Sequence, residues 1–355
     1  MIRMKGSDIV FTFDQMLTPI WDTDVVYGES FTMYREKNGE ISAPFLYEPE
    51  EIIEVRSANL EVLYEEGKDY RIEGGKIVLT ESTSIPFFEY EEVFMKENLP
   101  GGSFAYPDGY LLFREGHFFH DRQIAVTYRC KKGGWNGYVP AYKGELLHRT
   151  VRRLTEDKSL NVVLFGDSIS VGANSSGLTF ANPFQPKFGD MFAEKLRREY
   201  GAEVMFRNPS LGGKDSSWAM EVLDERVIEH NPDLVILGFG MNGRHKPEVF
   251  ASHIRNMVDR IKAANADTDI ILIATSTPNP ILTDPRAKFW NYEYLYGETL
   301  KPFEKDGLAV LDMGALLKEL HKNKRFIDTT GNNVNHPNDF FIRIHAQALS
   351  RILVK

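Results

Sequence analysis

From about residue 160 to the C-terminus, short continuous apolar runs alternate with longer stretches whose apolar residues recur every three or four positions. The runs at 162–165, 204–207, 234–237, 270–274 and 309–311 read as strands buried on both faces. The stretches near 188–200, 217–229, 247–264, 287–305 and 313–322, and a last one at 340–353, read as amphipathic helices. Such alternation implies a parallel sheet covered by helices on both sides, a flavodoxin-like three-layer α/β/α arrangement. Ligands in these folds bind beyond the carboxyl ends of the strands. The residues directly after each strand are therefore where chemistry is expected.

The first 145 or so residues follow a different period. Alternating runs such as Leu60 to Tyr64, Tyr70 to Ile72 and Lys76 to Thr80 are separated by Gly67 and by Gly74-Gly75, with later runs near 110–113 and 124–129. They predict a β-meander within a β-sandwich or jelly-roll-like domain. Eleven of the 15 tyrosines lie before residue 150, with Trp21 and Trp135, which suits packing on pleated surfaces. A carbohydrate-binding face is the alternative use for them. Leu146, Leu147, Thr150, Val151 and Leu154 recur at helical spacing and read as a connecting helix. The expected division is a β-rich domain at 1–150 and an α/β domain at 151–355.

Charge divides at the same place. Residues 1–150 carry 16 basic and 25 acidic side chains, and residues 151–355 carry 26 of each, so the net −9 belongs to the first part. An acidic chain is a poor partner for nucleic acid, whose affinity comes from basic contacts to phosphates. Cys130 is the single cysteine, which excludes an intramolecular disulfide and a cysteine-based metal site. The start Met1-Ile2-Arg3-Met4-Lys5 is followed by Asp8 and Asp14 and by no small-residue cleavage pattern. No run approaches about 18 apolar residues, the length needed to cross a bilayer. The expectation is a soluble cytoplasmic protein with no membrane or nucleic-acid partner, its oligomeric state unread.

Four strand ends carry polar motifs. The first is Phe165-Gly166-Asp167-Ser168-Ile169-Ser170, where a serine after a glycine turn is placed to be an exposed nucleophile. The same letters also make an ordinary turn or helix N-cap. The second, Asn208-Pro209-Ser210-Leu211-Gly212-Gly213-Lys214-Asp215, fails as a phosphate loop because Asp215 stands where Ser or Thr must follow the lysine. Its paired glycines can present N–H groups to an anion, or simply make a turn. The third, Gly238-Phe239-Gly240-Met241-Asn242-Gly243, matches the dinucleotide fingerprint by letter. The next strand, however, ends without the acid that would hold a ribose. The Asn242 amide is a donor able to face the same point as Gly213. The fourth, Asn332-Asn333-Val334-Asn335-His336, lies in a polar loop before the last helix, from which His336 can reach back to the first strand end.

In this order and at these positions the four motifs resemble the SGNH hydrolases, also called the GDSL esterase and lipase family, over about residues 160–355. The resemblance implies that Ser168 is the nucleophile and His336 the base. It implies an oxyanion hole of the Ser168 and Gly213 N–H groups and the Asn242 amide. With its β-rich first part, the chain further resembles two-domain carbohydrate acetylesterases. Two positions depart from the family pattern. Gly243 replaces the aspartate that usually follows the asparagine. Asn333 stands three residues before His336, where the family has its acid. A backbone carbonyl could then orient the ring in a Ser–His dyad, Asn333 itself could hold it, or Asp328 or Asp339 could supply the carboxylate.

The implied chemistry is acyl transfer without a metal or organic cofactor. The expected substrates are small acyl esters, acetyl above all, on oligosaccharides, since no long apolar lid suggests a lipid-surface enzyme. Loops at 277–285 and 289–296 could shape the acyl pocket. The alternatives are an acyl thioesterase or lysophospholipase, and an inert carbohydrate-binding protein.

Overall fold

The computed structural model describes residues 11–284 and 292–355. Five parallel strands lie in the order Glu203–Arg207, Ser159–Gly166, Leu234–Gly238, Asp269–Ala274 and Leu308–Asp312. The strand that comes first in the chain is second in the sheet, so the chain runs outward in opposite directions from it. The crevice at its carboxyl end is the switch point at which open α/β sheets place their ligands.

Successive side chains of a strand face opposite layers. Leu160, Val162 and Leu164 join one apolar cluster with Phe188, Phe192 and Leu196 of the helix Phe188–Tyr200 and with Phe341 and Ile344 of the helix Asp339–Leu353. Val163 and Phe165 join another with Phe250, Ile254, Met257 and Ile261 of the helix Pro247–Ala264. Covering on both sides is why these strands read as unbroken apolar runs.

Two helices differ from expectation. The stretch at 217–229 is broken into Ser216–Glu221, Leu223–Arg226 and a 3₁₀ turn Ile228–His230. The breaks fall at Val222 and Val227, β-branched residues that leave helical dihedrals readily. The stretch at 287–305 lies partly outside the described residues. From Glu293 it consists of a 3₁₀ turn, the helix Tyr296–Leu300, and a second 3₁₀ turn at Lys301–Phe303. Pro302, with no N–H to give, ends the α-helical part. The connecting helix runs over His148–Arg152 and continues into a π turn, Arg153–Asp157.

Ahead of the parallel sheet lie three antiparallel sheets. One has the order Val25–Thr32, Gln123–Cys130, Pro49–Ser57, Leu63–Tyr64. The others are Ser42–Pro44, Lys76–Leu79, Tyr70–Glu73 and Phe94–Met95, Gly109–Leu112, Ser103–Tyr106. The hairpin through Gly74-Gly75 forms as expected, with both glycines at positive φ. The simple meander does not: the strands on either side of Gly67 belong to different sheets, and Val25–Thr32 pairs with a strand nearly a hundred residues later. Alternation and turn residues specify a hairpin, but not which distant strand closes a sheet.

The two parts of the chain share a core. Phe31, Ile124, Val126 and Tyr128 belong to the same apolar cluster as the helix Asp339–Leu353. That helix is buried on nearly all sides, and its Arg343 donates to the carbonyls of Tyr27 and Gly28 at 3.0 and 2.7 Å. Beside it, Lys324 lies 2.7 Å from Glu29 with both side chains fully buried. Among the described residues no helix is long and apolar enough to cross a membrane.

Candidate active site

The strand Ser159–Gly166 ends where there is no room for a side chain: a Cβ on Gly166 would lie 2.2 Å from Ser170 Oγ and 2.3 Å from the Gly238 carbonyl. Asp167 then caps the short helix Ser168–Val171, accepting from the Ile169 N–H at 3.0 Å. Its other oxygen accepts from the Met241 N–H at 3.3 Å, tying this turn to the loop after the third strand. Burial pushes the Asp167 carboxyl up to about 6, against the pull of those two N–H groups and of His336. The two readings of Gly-Asp-Ser thus hold at different residues. Asp167 is the N-cap, and Ser168, the first helical residue, turns its hydroxyl to His336.

The loop after Glu203–Arg207 is stitched to the same turn. Ser210 Oγ accepts from the Gly166 N–H at 2.8 Å, the Leu211 N–H donates to the Gly166 carbonyl at 3.1 Å, and Asn208 Nδ2 donates to the Ser170 carbonyl at 2.8 Å. These bonds bring the paired glycines over the serine. A Cβ on Gly212 would lie 3.7 Å from Ser168 Cβ, and Gly213 has φ +72°. Asn242, buried, donates through Nδ2 to the Lys214 carbonyl at 3.2 Å, so its amide lies beside the same loop with a second N–H to give. The glycine at 243 has a steric cause. Its φ is +92°, and a Cβ there would meet His245 Nε2 at 2.6 Å and Asp215 at 2.8 Å.

His336 closes the site from the far side. One amide oxygen, Asn332 Oδ1, accepts from the N–H groups of Val334, Asn335 and His336 at 3.0, 3.0 and 3.1 Å, which shapes the loop. His336 Nε2 lies 2.9 Å from Ser168 Oγ. Nδ1 lies 2.7 Å from Asn174 Oδ1 and 3.1 Å from Glu115 Oε2. Both of these partners are acceptors, so the ring proton sits on Nδ1 and Nε2 is left to take a proton from the serine.

None of the expected partners of the ring touches it. Asn333, at φ +66°, donates instead to the Leu112 carbonyl at 3.1 Å. Asp328 is held by the Arg325 guanidinium at 2.8 Å and by the Thr32 N–H at 2.8 Å. Asp339 accepts from the Ser176 N–H at 2.8 Å. Among the described residues no backbone carbonyl bonds to the ring either. The residues that do are Asn174, from the loop after the short helix, and Glu115, from the antiparallel part. Sequence spacing carried no signal for Glu115, 221 positions from the histidine. For Asn174 the one available hint was its place six residues after Ser168.

A cavity of about 10 Å³ adjoins His336, lined by polar residues such as Thr277 and Asn335 and by the apolar Leu317, Phe326 and Phe341, but by none of Ser168, Gly213 and Asn242. Thr277 comes from the first of the two loops expected to shape a pocket. Of the 277–285 and 289–296 loops, residues 285–291 lie outside the described residues. Among the described residues no three His, Cys, Asp or Glu side chains converge as a metal site would require.

The family model of the GDSL-like lipase/acylhydrolase family matches residues 164–340. An arylesterase of Vibrio mimicus is 25% identical over 118 residues, 32% of this chain and 55% of that enzyme, so the chain spans about half the length of this curated relative. Among solved structures, the chain is similar to a two-domain esterase (CEX) active on acetylated mannans, at TM-score 0.49 and 18% identity, covering 62% of this chain and 56% of the other. It is also similar to Axe2, an acetylxylan esterase from Geobacillus stearothermophilus, at TM-score 0.45 and 18% identity, covering 55% and 94%.

Proposed function

Over residues 164–340 the chain belongs to the GDSL-like lipase/acylhydrolase family, and from that premise we propose that it is a serine esterase removing small acyl groups, acetyl above all, from carbohydrate esters. The observation that carries this reading is the 2.9 Å approach of Ser168 Oγ to His336 Nε2, with the far nitrogen of the ring already partnered. His336 takes the hydroxyl proton as Ser168 Oγ bonds to the ester carbonyl carbon. The negative oxygen that forms is stabilised by the Ser168 and Gly213 N–H groups and the Asn242 amide. The ester C–O bond then breaks and His336 returns the proton to the leaving alcohol. Water, deprotonated by the same ring, attacks the acyl-enzyme, and the serine is released with its proton.

The reading of a small acyl group is supported by the sequence, which offers no long apolar lid of the kind a lipid-surface enzyme needs. A series of p-nitrophenyl esters tests this directly: acetate is expected to exceed octanoate at least ten-fold in kcat/KM, and a preference for octanoate overturns the small-acyl reading in favour of a thioesterase or lysophospholipase. Acetylated manno- and xylo-oligosaccharides are the next probes, with released acetate as the readout. Stoichiometric labelling of Ser168 by a fluorophosphonate is expected as well; an inert carbohydrate-binding protein would not react.

Asn242→Ala removes one donor to the oxyanion. Turnover of p-nitrophenyl acetate is expected to fall about 10²–10³-fold with little change in KM, because the hydrogen bond strengthens only as charge develops. A loss of less than three-fold would take Asn242 out of the hole.

A further inference from the structure

We propose that Glu115, a residue of the antiparallel part of the chain, is the charged positioning partner of His336, so that the β-rich segment completes the catalytic machinery. The inference rests on the serine-esterase reading and goes beyond it in assigning the acid.

The contact is part of a built junction. From the last residue of the strand Gly109–Leu112 onward, the five residues 112–116 reach the site at three points. The Leu112 carbonyl accepts from Asn333 Nδ2 at 3.1 Å, and the Gly116 carbonyl accepts from Asn174 Nδ2 at 2.8 Å. Between them Glu115 Oε1 accepts from Asn332 Nδ2 at 3.3 Å while Oε2 faces His336 Nδ1 at 3.1 Å. The segment therefore grips both the loop that carries the histidine and the asparagine that holds its ring.

The two partners of Nδ1 divide the work of a triad acid. Asn174, closer at 2.7 Å, fixes tautomer and ring orientation but is neutral. Glu115 adds the charge that an imidazolium needs. Burial pushes its carboxyl up, but the hydrogen bond and charge of His336, with the amides of Asn332 and Asn174, outweigh that and hold it below the usual range. It is therefore ionised at neutral pH. One other carboxyl acts on His336, that of Asp167 on the nucleophile turn, and its oxygens are taken by the N–H groups of Ile169 and Met241. No charged side chain of the histidine loop itself touches the ring among the described residues.

A carboxylate beside an imidazole favours the protonated ring, and an amide in its place does not. In Glu115→Gln the acidic limb of the kcat/KM profile is expected to move down by about half to one pH unit, the size suited to a half-exposed carboxylate beside a buried ring. The kcat plateau is expected to fall about 10–100-fold with KM within about two-fold. That loss is smaller than the ~10⁴ seen when a protease triad loses its acid and with it the tautomer, because Asn174 keeps the tautomer here. Glu115→Asp should recover part of kcat and return the limb toward its original position.

The experiment compares the full-length protein with Glu115→Gln and Glu115→Asp by p-nitrophenyl acetate kinetics across pH 4–9. Thermal unfolding confirms that the variants fold, and an NMR titration of the His336 ring runs alongside. An unmoved acidic limb with unchanged kcat, or a raised KM with kcat intact, overturns the proposal, the second outcome making Glu115 a substrate contact. The ring titration separates the two levels of the argument. If the wild type neither hydrolyses esters nor labels with fluorophosphonate, the esterase reading fails. Glu115 is then decided by whether the His336 titration moves down in Glu115→Gln.

Discussion

Alanine at position 168 will lower turnover of p-nitrophenyl acetate by roughly 10⁴–10⁶-fold, the range seen when a hydrolase loses its nucleophile. Ser170 Oγ, two residues on, already donates to the Gly238 carbonyl and is almost fully buried, so it does not take over. Folding should be little affected. Asp167, not Ser168, caps the short helix, and among the described residues the hydroxyl of Ser168 bonds only to His336. Such a bond contributes about 1 kcal/mol. Residual activity above the uncatalysed rate should persist, since the oxyanion donors remain. Because the serine and histidine act as a unit, the double variant Ser168→Ala/His336→Ala should be no slower than Ser168→Ala alone. The test is steady-state kinetics on all three variants with their thermal midpoints. Activity of Ser168→Ala within ten-fold of wild type would remove the serine from the chemistry.

The contrast between Ser168 and Glu115 shows what could be read without coordinates. In a parallel sheet every strand points its carboxyl end to the same edge, so the residues after each apolar run meet there. Ser168, Gly213 and Asn242 were legible for that reason, because the strand ends could be placed from the apolar period to within about two residues. His336 was legible because a polar loop before the last helix returns to the same edge. The partners of its ring were not. Asn333 occupies the position of the customary acid, yet its left-handed backbone points the amide at Leu112. Asp328 and Asp339 are the right type in the right loop, but each is consumed by nearer donors. Which donor a carboxylate finds is decided by tertiary packing, and the one that reaches the ring comes from a separate sheet. The acid excess of the first 150 residues reads in composition as a solvated surface. At least one of those 25 carboxylates faces the histidine instead.

A second contact between the antiparallel part and the segment leading to His336 is a structural anchor, and Lys324→Met is expected to destabilise the protein by about 3–5 kcal/mol. Lys324 Nζ lies 2.7 Å from Glu29 Oε1 and 3.9 Å from Asp328 Oδ2, and none of the three side chains is exposed. It also donates to the Ser30 carbonyl at 3.1 Å and sits 3.5 Å from the centroid of the Phe31 ring. Removing the ammonium leaves Glu29 buried with, among the described residues, only the Tyr128 hydroxyl and the Leu46 N–H as donors. Burial already pushes the Glu29 carboxyl up. In the variant it will take up a proton, which bounds the loss and makes stability fall as pH rises through the neutral range. Pairing the change with Glu29→Gln should recover more than half of the deficit, since the cost lies mainly in the uncompensated charge rather than in the lost attraction. Urea unfolding of the single and double variants at pH 5.5 and 8 measures both effects. A Lys324→Met protein within 1 kcal/mol of wild type at pH 8 would show that the pair adds nothing to stability. Activity should follow the same order, because Lys324 stands at the base of the loop that delivers His336. Loosening its hold on the strand Val25–Thr32 is expected to let the loop drift from Ser168 with Ser168 and His336 both still in the chain.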